Sequence, residues 1–293
     1  MARLRADVTQ AWELVHASRY TELVALLSSL LSTGEHAARA SVGSGREEVF
    51  ALVAQTYQVG AAMMAKLGET DLAWVTADRA VMAAERAGAP LLAIAGVYRL
   101  AQAFVAGWKL DQAERAASSG ALGLVGRLRD SDPEVVSLYG ALNLVRAIAA
   151  SRRGDGVTAW RAIAEAENAA QLLGANRNDF DTEFGPTNVR LHTVAVAVEL
   201  GESGEALRRA AGVHADGLSS ERQARFLIDV ARAHGQRRDA RGAVQSLRDA
   251  AVLTAEQVQY HPLARELVRD LLRRRRTAPD RDLQALAVTV GIS

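Results

Sequence analysis

Residues 185–211 read GPTNVRLHTVAVAVELGESGEALRRAA, and residues 221–250 read ERQARFLIDVARAHGQRRDARGAVQSLRDA. Apolar residues spaced by three and four split each stretch into two helices around a glycine, Gly201 in one and Gly235 in the other. The helix after each turn carries small or apolar residues on one side: Ala206 and Ala210, then Ala243, Leu247 and Ala250. The helix before each turn sets polar residues among apolar ones: Asn188 and His192, then Arg222, Arg225 and Asp229. Such a hairpin cannot bury its apolar face alone, so it predicts stacked neighbours.

Working outward, the same period of three and four runs through the chain, and strand signals are nearly absent. The spacing predicts an all-α protein with helices near 3–16, 20–40, 46–67, 70–87, 90–107, 110–128, 133–152, 157–173, 186–200, 203–214, 219–234, 239–254, 261–275 and 280–290. Pro133, Pro186 and Pro262 fall at first helical positions, where a missing N–H costs nothing.

Bulk composition narrows the function classes. The 293 residues are 49% apolar, enough for a core, and rich in Ala, which suits close helix packing. A net charge of +1 gives no global basic field to draw the chain onto nucleic acid. Zero cysteines exclude a disulfide framework, a zinc ribbon and a thiol nucleophile, and fit a cytoplasmic setting. MARLRADVTQAW at the N-terminus lacks the apolar core of a signal peptide, and no apolar run is long enough to predict a membrane span. Metalloprotease, nucleophile-elbow, Walker and dinucleotide motifs are all missing, and the six histidines form no i, i+4 pair. The expectation is a non-enzyme without a cofactor or metal.

The hairpins repeat. In a tetratricopeptide-like unit, small residues on the second helix follow the turn glycine by five, nine and twelve positions. Gly68 is followed in that way by Ala73, Ala77 and Ala80, Gly154 by Ala159, Ile163 and Ala166, and Gly201 by Ala206, Ala210 and Val213. Three further units fit with defects. Ser18 stands in for the glycine before Leu23, Leu27 and Leu30; Gly107 is one residue early for Ala113, Ala117 and Gly120; Gly235 is three early for Ala243, Leu247 and Ala250. The predicted architecture is an α-solenoid of about six degenerate tetratricopeptide-like hairpins over 1–276, with C-terminal capping helices and a tail helix at 277–293.

Three segments, LGETDLAWVTADRAVMAAERAG (67–88), FGPTNVRLHTVAVAVELG (184–201) and ERQARFLIDVARAHGQRRDARGAVQSLRDA (221–250), resemble the C-terminal sensor region of actinobacterial XRE-like helix-turn-helix regulators. That resemblance covers nearly the whole chain and implies a sensor and protein-interaction module of a transcriptional regulator. The chain starts where the sensor region would start, so DNA would be reached only through a helix-turn-helix domain that these residues do not include.

Binding on the first helices follows from solenoid geometry, because they line the inner surface. The candidate groove residues are Gln55, Gln58, Arg99, Gln102, Asn143, Arg146, Asn188, His192, Arg222, Arg225 and Asp229, with Tyr57, Tyr98 and Tyr139 as aromatic walls. Arginine pairs suit planar anions and an asparagine amide suits a peptide backbone, so the expected ligand is a short peptide or a small anionic molecule. A signal would pass through the angle between repeats or through a homodimer contact. The alternative is a scaffold or oligomerisation solenoid with no small ligand. The loop GANRNDFDTEFGP (174–186) reads as a lid over the groove or as a linker. Its alternating Asp179, Asp181 and Glu183 fail the calcium-loop pattern, because Arg190 stands where the bidentate Glu belongs. Arg273 to Arg276 suit the negative end of a helix dipole.

Overall fold

The computed structural model describes residues 1–274 and 281–292. Among them are fifteen α-helices and no strand: α1 (Ala2–His16), α2 (Tyr20–Ala40), α3 (Arg46–Leu67), α4 (Thr70–Arg86), α5 (Pro90–Ala106), α6 (Leu110–Val125), α7 (Pro133–Arg152), α8 (Gly156–Leu173), α9 (Pro186–Glu199), α10 (Ser203–Ala210), α11 (Ser220–Gln236), α12 (Ala240–Leu253), α13 (Ala255–Tyr260), α14 (Pro262–Arg273) and α15 (Arg281–Thr289). No described helix is long and apolar enough to cross a membrane.

One turn recurs at every hairpin and sets its register. Ser18, Gly68, Trp108, Gly154, Gly201 and Arg238 all adopt left-handed φ, between 53° and 85°. The N–H of the next residue then donates to a carbonyl five residues back: Arg19 to Leu14, Glu69 to Met64, Lys109 to Phe104, Asp155 to Ala150, Glu202 to Ala197 and Asp239 to His234, at 2.8–3.0 Å. This bond caps the first helix by satisfying one of its last free carbonyls. Counted from the left-handed residue, the defects seen in the sequence disappear. Trp108 leads by five, nine and twelve to Ala113, Ala117 and Gly120, and Arg238 leads to Ala243, Leu247 and Ala250. Gly235 lies inside α11, and Gly107 has φ −83°, so neither makes the turn. Of these eighteen positions all are buried except Ala210 and Val213, which are half-buried. Two of the turns are reinforced, because the Asp155 and Asp239 carboxylates accept from Thr158 and Gly242 N–H groups at the starts of α8 and α12.

Connections inside the hairpins are two or three residues long, whereas those between successive hairpins run from three residues at 87–89 to twelve at 174–185. Short connections make each pair antiparallel neighbours.

The chain divides into two compact units, residues 1–15 with 19–186 (lobe 1) and residues 16–18 with 187–293 (lobe 2). In lobe 1, α3 packs against α5 and α5 against α7, with α4 fitted against α3 and α5, and α6 against α5 and α7. Gly140 on α7 opens a slot for Phe184, whose ring would lie 1.9 Å from a Cβ there. In lobe 2, α11, α12, α13, α14 and α15 share one core built on Ala224, Ile228, Leu247, Val268, Leu283 and Leu286. Of the tail expected at 277–293, Arg281 to Thr289 form α15, and 277–280 and Ser293 lie outside the described residues, as do Arg275 and Arg276 of the arginine run. Arg274 pairs with Asp270 one turn before it.

Two elements depart from the predicted boundaries. Helix α10 stops at Ala210 rather than 214. Gly212 weakens a helix at that point, and Val213, Ala215 and Leu218 instead pack on Leu191 and Phe226. Helix α13 occupies 255–260, a stretch too short to show a period. It is closed by His261, which takes the extended conformation that a following proline favours.

Candidate functional site

The polar residues on the first helices form two separate groups, one in each lobe. In lobe 1 the centre is Arg99 of α5, only 5% exposed. Its guanidinium lies 4.7 Å from the Trp12 ring centroid and 4.9 Å from that of Tyr98. One terminal nitrogen donates to the carbonyls of Phe180 and Asp181, at 3.0 and 2.8 Å, and the other to Gln102 Oε1 at 3.1 Å. Gln102 in turn donates to the Tyr98 hydroxyl. The other expected residues of this lobe also turn to the protein. Gln58, 1% exposed, donates to the Leu92 carbonyl and ties α3 to α5. Asn143, fully buried, donates to the Tyr139 carbonyl and accepts from Arg146 at 2.7 Å. Gln55 is half-buried. Tyr57 and Tyr139 donate to Glu35 and Glu165. Burial first, and then these carboxylates, push both phenols above their ordinary pKa.

The partner of Arg99 is the 174–185 connector, which crosses α7 and reaches the core at α3. Asp179 accepts from Ser137 of α7 at 2.6 Å and from Arg177 at 2.7 Å. Burial works against its charge, yet these two donors hold its carboxyl below the usual range. Phe180 packs on the cluster of Val49, Phe50, Val53 and Tyr57, and Phe184 is fully buried at Gly140. Among the described residues, no group of three or more His, Asp or Glu side chains is placed to hold a metal.

In lobe 2 the seam between α9 and α11 gathers Asn188, His192 and Glu199 against Glu221, Arg222, Arg225, Asp229 and Arg232. Helical spacing explains the alignment, since 188, 192 and 199 share one face of α9, and 222, 225, 229 and 232 share one face of α11. The far end is tightly closed. Arg232 donates to Glu199 through both terminal nitrogens, at 3.2 and 3.0 Å, and to Asp229 at 3.0 Å. Burial opposes the charge of Arg232, and the two carboxylates more than offset it, holding its pKa above the ordinary guanidinium value.

The near end is looser. Arg225 Nε stands 3.8 Å from Asp229 Oδ2, beyond hydrogen-bonding distance, with the side chain 34% exposed. That Nε is buried and makes no hydrogen bond to the described residues. Arg222 Nε is 3.7 Å from Glu221 Oε2. His192 Nδ1 lies 2.9 Å from the Asn188 carbonyl. A carbonyl can only accept, so Nδ1 carries the proton and Nε2 keeps its lone pair. Burial, then the Arg222 and Arg225 charges, lower the His192 pKa to about 3 against a smaller opposing pull from Asn188 and Glu221. The ring is therefore neutral at pH 7 and presents an acceptor beside two cations.

Thus Asn188, His192, Arg222, Arg225 and Asp229 come together in one lobe, while Arg99, Gln102, Asn143 and Arg146 form two short networks in the other. Glu199 and Glu221 escaped the sequence reading, although extending the Asn188–His192 stripe by two turns reaches Glu199. Ser137 and Trp12 carried no sequence signal.

A scan against protein-family models finds no match, and a search of curated proteins finds no related sequence.

Proposed function

We propose that the chain is a ligand-sensing and protein-interaction module, built as an α-solenoid of tetratricopeptide-like hairpins, that binds the anionic group of a peptide or small molecule at the α9–α11 seam. The six identical turn registers support the repeat type. The observation that carries the function is Arg225, whose buried Nε has no hydrogen-bond acceptor among the described residues, beside neutral His192. A guanidinium in a partly dry setting binds a carboxylate or phosphate strongly. Nε2 of His192 would accept from a ligand N–H or O–H, so the favoured ligand carries both an anion and a donor, as an amino acid or a peptide C-terminus does. The role is binding without catalysis. The resemblance to regulator sensor regions gives it a place, with DNA reached through a separate helix-turn-helix domain.

The test is thermal denaturation with a panel of amino acids, hydroxy acids and short peptides, on wild type and the Arg222→Met, Arg225→Met double variant. A ligand at 100 times its Kd raises stability by about 2.7 kcal/mol. The expected result is a rise with at least one compound that the double variant loses. No rise with any of them, or an equal rise in both proteins, overturns the reading. The scaffold alternative draws on α4, whose solvent side exposes Leu72, Val75 and Met82; concentration-dependent self-association abolished by Met82→Lys would favour it.

A further inference from the structure

The 174–185 connector sits on lobe 1 as a bound peptide sits on a receptor. Its contacts divide into backbone recognition and side-chain recognition. Arg99 donates to two successive carbonyls, Phe180 and Asp181. The rings of Trp12 and Tyr98 hold that guanidinium in place. The Asp179 carboxylate meets the Ser137 hydroxyl of α7, and the Phe180 ring lies on the α3–α4 cluster. Phe184 enters the slot left by Gly140.

The connector's own backbone is poorly suited to this position. Phe180, Asp181 and Glu183 take left-handed φ of 51°, 56° and 50°. Side chains other than glycine enter that region at a cost, and a bulky aromatic most of all. A segment selected only to join α8 to α9 would avoid three such residues in a row of four. Here the contacts outweigh the strain.

We propose that the face of α3, α5 and α7 in lobe 1 is a docking groove for a short acidic-aromatic peptide of the Asp-Phe-Asp type, which residues 179–182 occupy as an intramolecular surrogate. Arg99 reads the peptide backbone, Ser137 the first carboxylate, and the Val49–Tyr57 surface the aromatic ring. The tethered copy competes at an effective concentration in the millimolar range, so wild type masks the groove. This proposal is independent of the seam in lobe 2 and stands or falls without it.

The experiment uses a fluorescent peptide of residues 176–182, NRNDFDT, and anisotropy with the full chain. In the Asp179→Ser, Phe180→Ser variant the surrogate loses two anchors while Phe184 stays in its slot. The variant is expected to bind the peptide at least ten times more tightly than wild type. Adding Arg99→Met should abolish the gain, and a scrambled peptide should not bind. Circular dichroism establishes that each variant is folded, and Phe180→Ser alone serves if the double variant is not. A folded variant that binds no better than wild type, or binds the scrambled peptide equally, overturns the proposal. So does a variant that ignores the peptide but dimerises in size exclusion, which would assign the groove to a second copy's connector.

Discussion

Arg99 and Arg225 are both arginines on the first helix of a hairpin with apolar residues immediately on either side, although α5 carries no other charge and α11 carries several. Their surroundings in the fold separate them. Arg99 is buried between two aromatic rings, and carbonyls 81 and 82 residues further along the chain accept its N–H groups. Arg225 keeps a third of its side chain exposed and meets a carboxylate only at 3.8 Å. The difference comes from the connectors. In lobe 1 the 174–185 connector brings main-chain carbonyls and a phenylalanine onto the first-helix face. In lobe 2 the 211–219 connector brings Val213, Ala215 and Leu218 to Leu191 and Phe226, and offers no described polar partner to Arg225. For these two arginines the connections, rather than the helices, make the difference; Arg232 is held by helix residues alone.

The largest effect expected from this comparison is at Arg232. Arg232→Met takes the guanidinium from buried Glu199 and leaves Asp229 only the longer contact with Arg225, and should cost about 3–5 kcal/mol, read as a fall in denaturant midpoint. Next is the paired test of the two arginines. Arg99→Met removes charged hydrogen bonds and two ring contacts and should cost about 3 kcal/mol, while Arg225→Met should cost less than about 1 kcal/mol. Equal losses in urea denaturation would erase the distinction between a structural and an available arginine.

A third test uses pH. His192 in the folded chain has its pKa lowered from 6.5 to about 3. The unfolded chain therefore takes up the proton first, and stability present above about pH 6.5 is lost as pH falls toward the folded value. Between pH 7 and pH 5 wild type should lose about 2 kcal/mol more than His192→Gln. Parallel stability profiles for the two proteins would mean that the ring is not held neutral beside Arg222 and Arg225. The smallest effect is a gain. Arg238 is exposed and left-handed, so Arg238→Gly should raise stability by about 1 kcal/mol. A loss instead would show that the arginine side chain contributes more than the turn costs.

Helix positions were legible because amphipathic spacing survives in most segments, and proline stands at the first position of α5, α7, α9 and α14. The turn residues were not. Glycine advertises a left-handed position, but Trp108, Arg238 and Ser18 occupy it without any propensity signal, so two hairpins looked out of register and a third lacked its turn glycine. The polar stripe of α11 was legible from spacing alone. What the sequence withheld was the occupant of each stripe, because Phe180 reaches Arg99 through the fold and not through any local pattern.

The uneven connections carry a consequence for how such a chain changes. Within a hairpin, one added residue would rotate the second helix by about 100° and carry its alanines away from their partners. Between hairpins the chain already accommodates anything from three to twelve residues, with the next pair of helices beginning its register anew at its own turn. New residues can therefore enter between hairpins without renegotiating the packing within them: a longer connector at 126–132 or 211–219 could acquire recognition chemistry while the alanine contacts stay as they are. The connector at 174–185 is the longest of these connections, and the hairpins on either side of it keep the same turn.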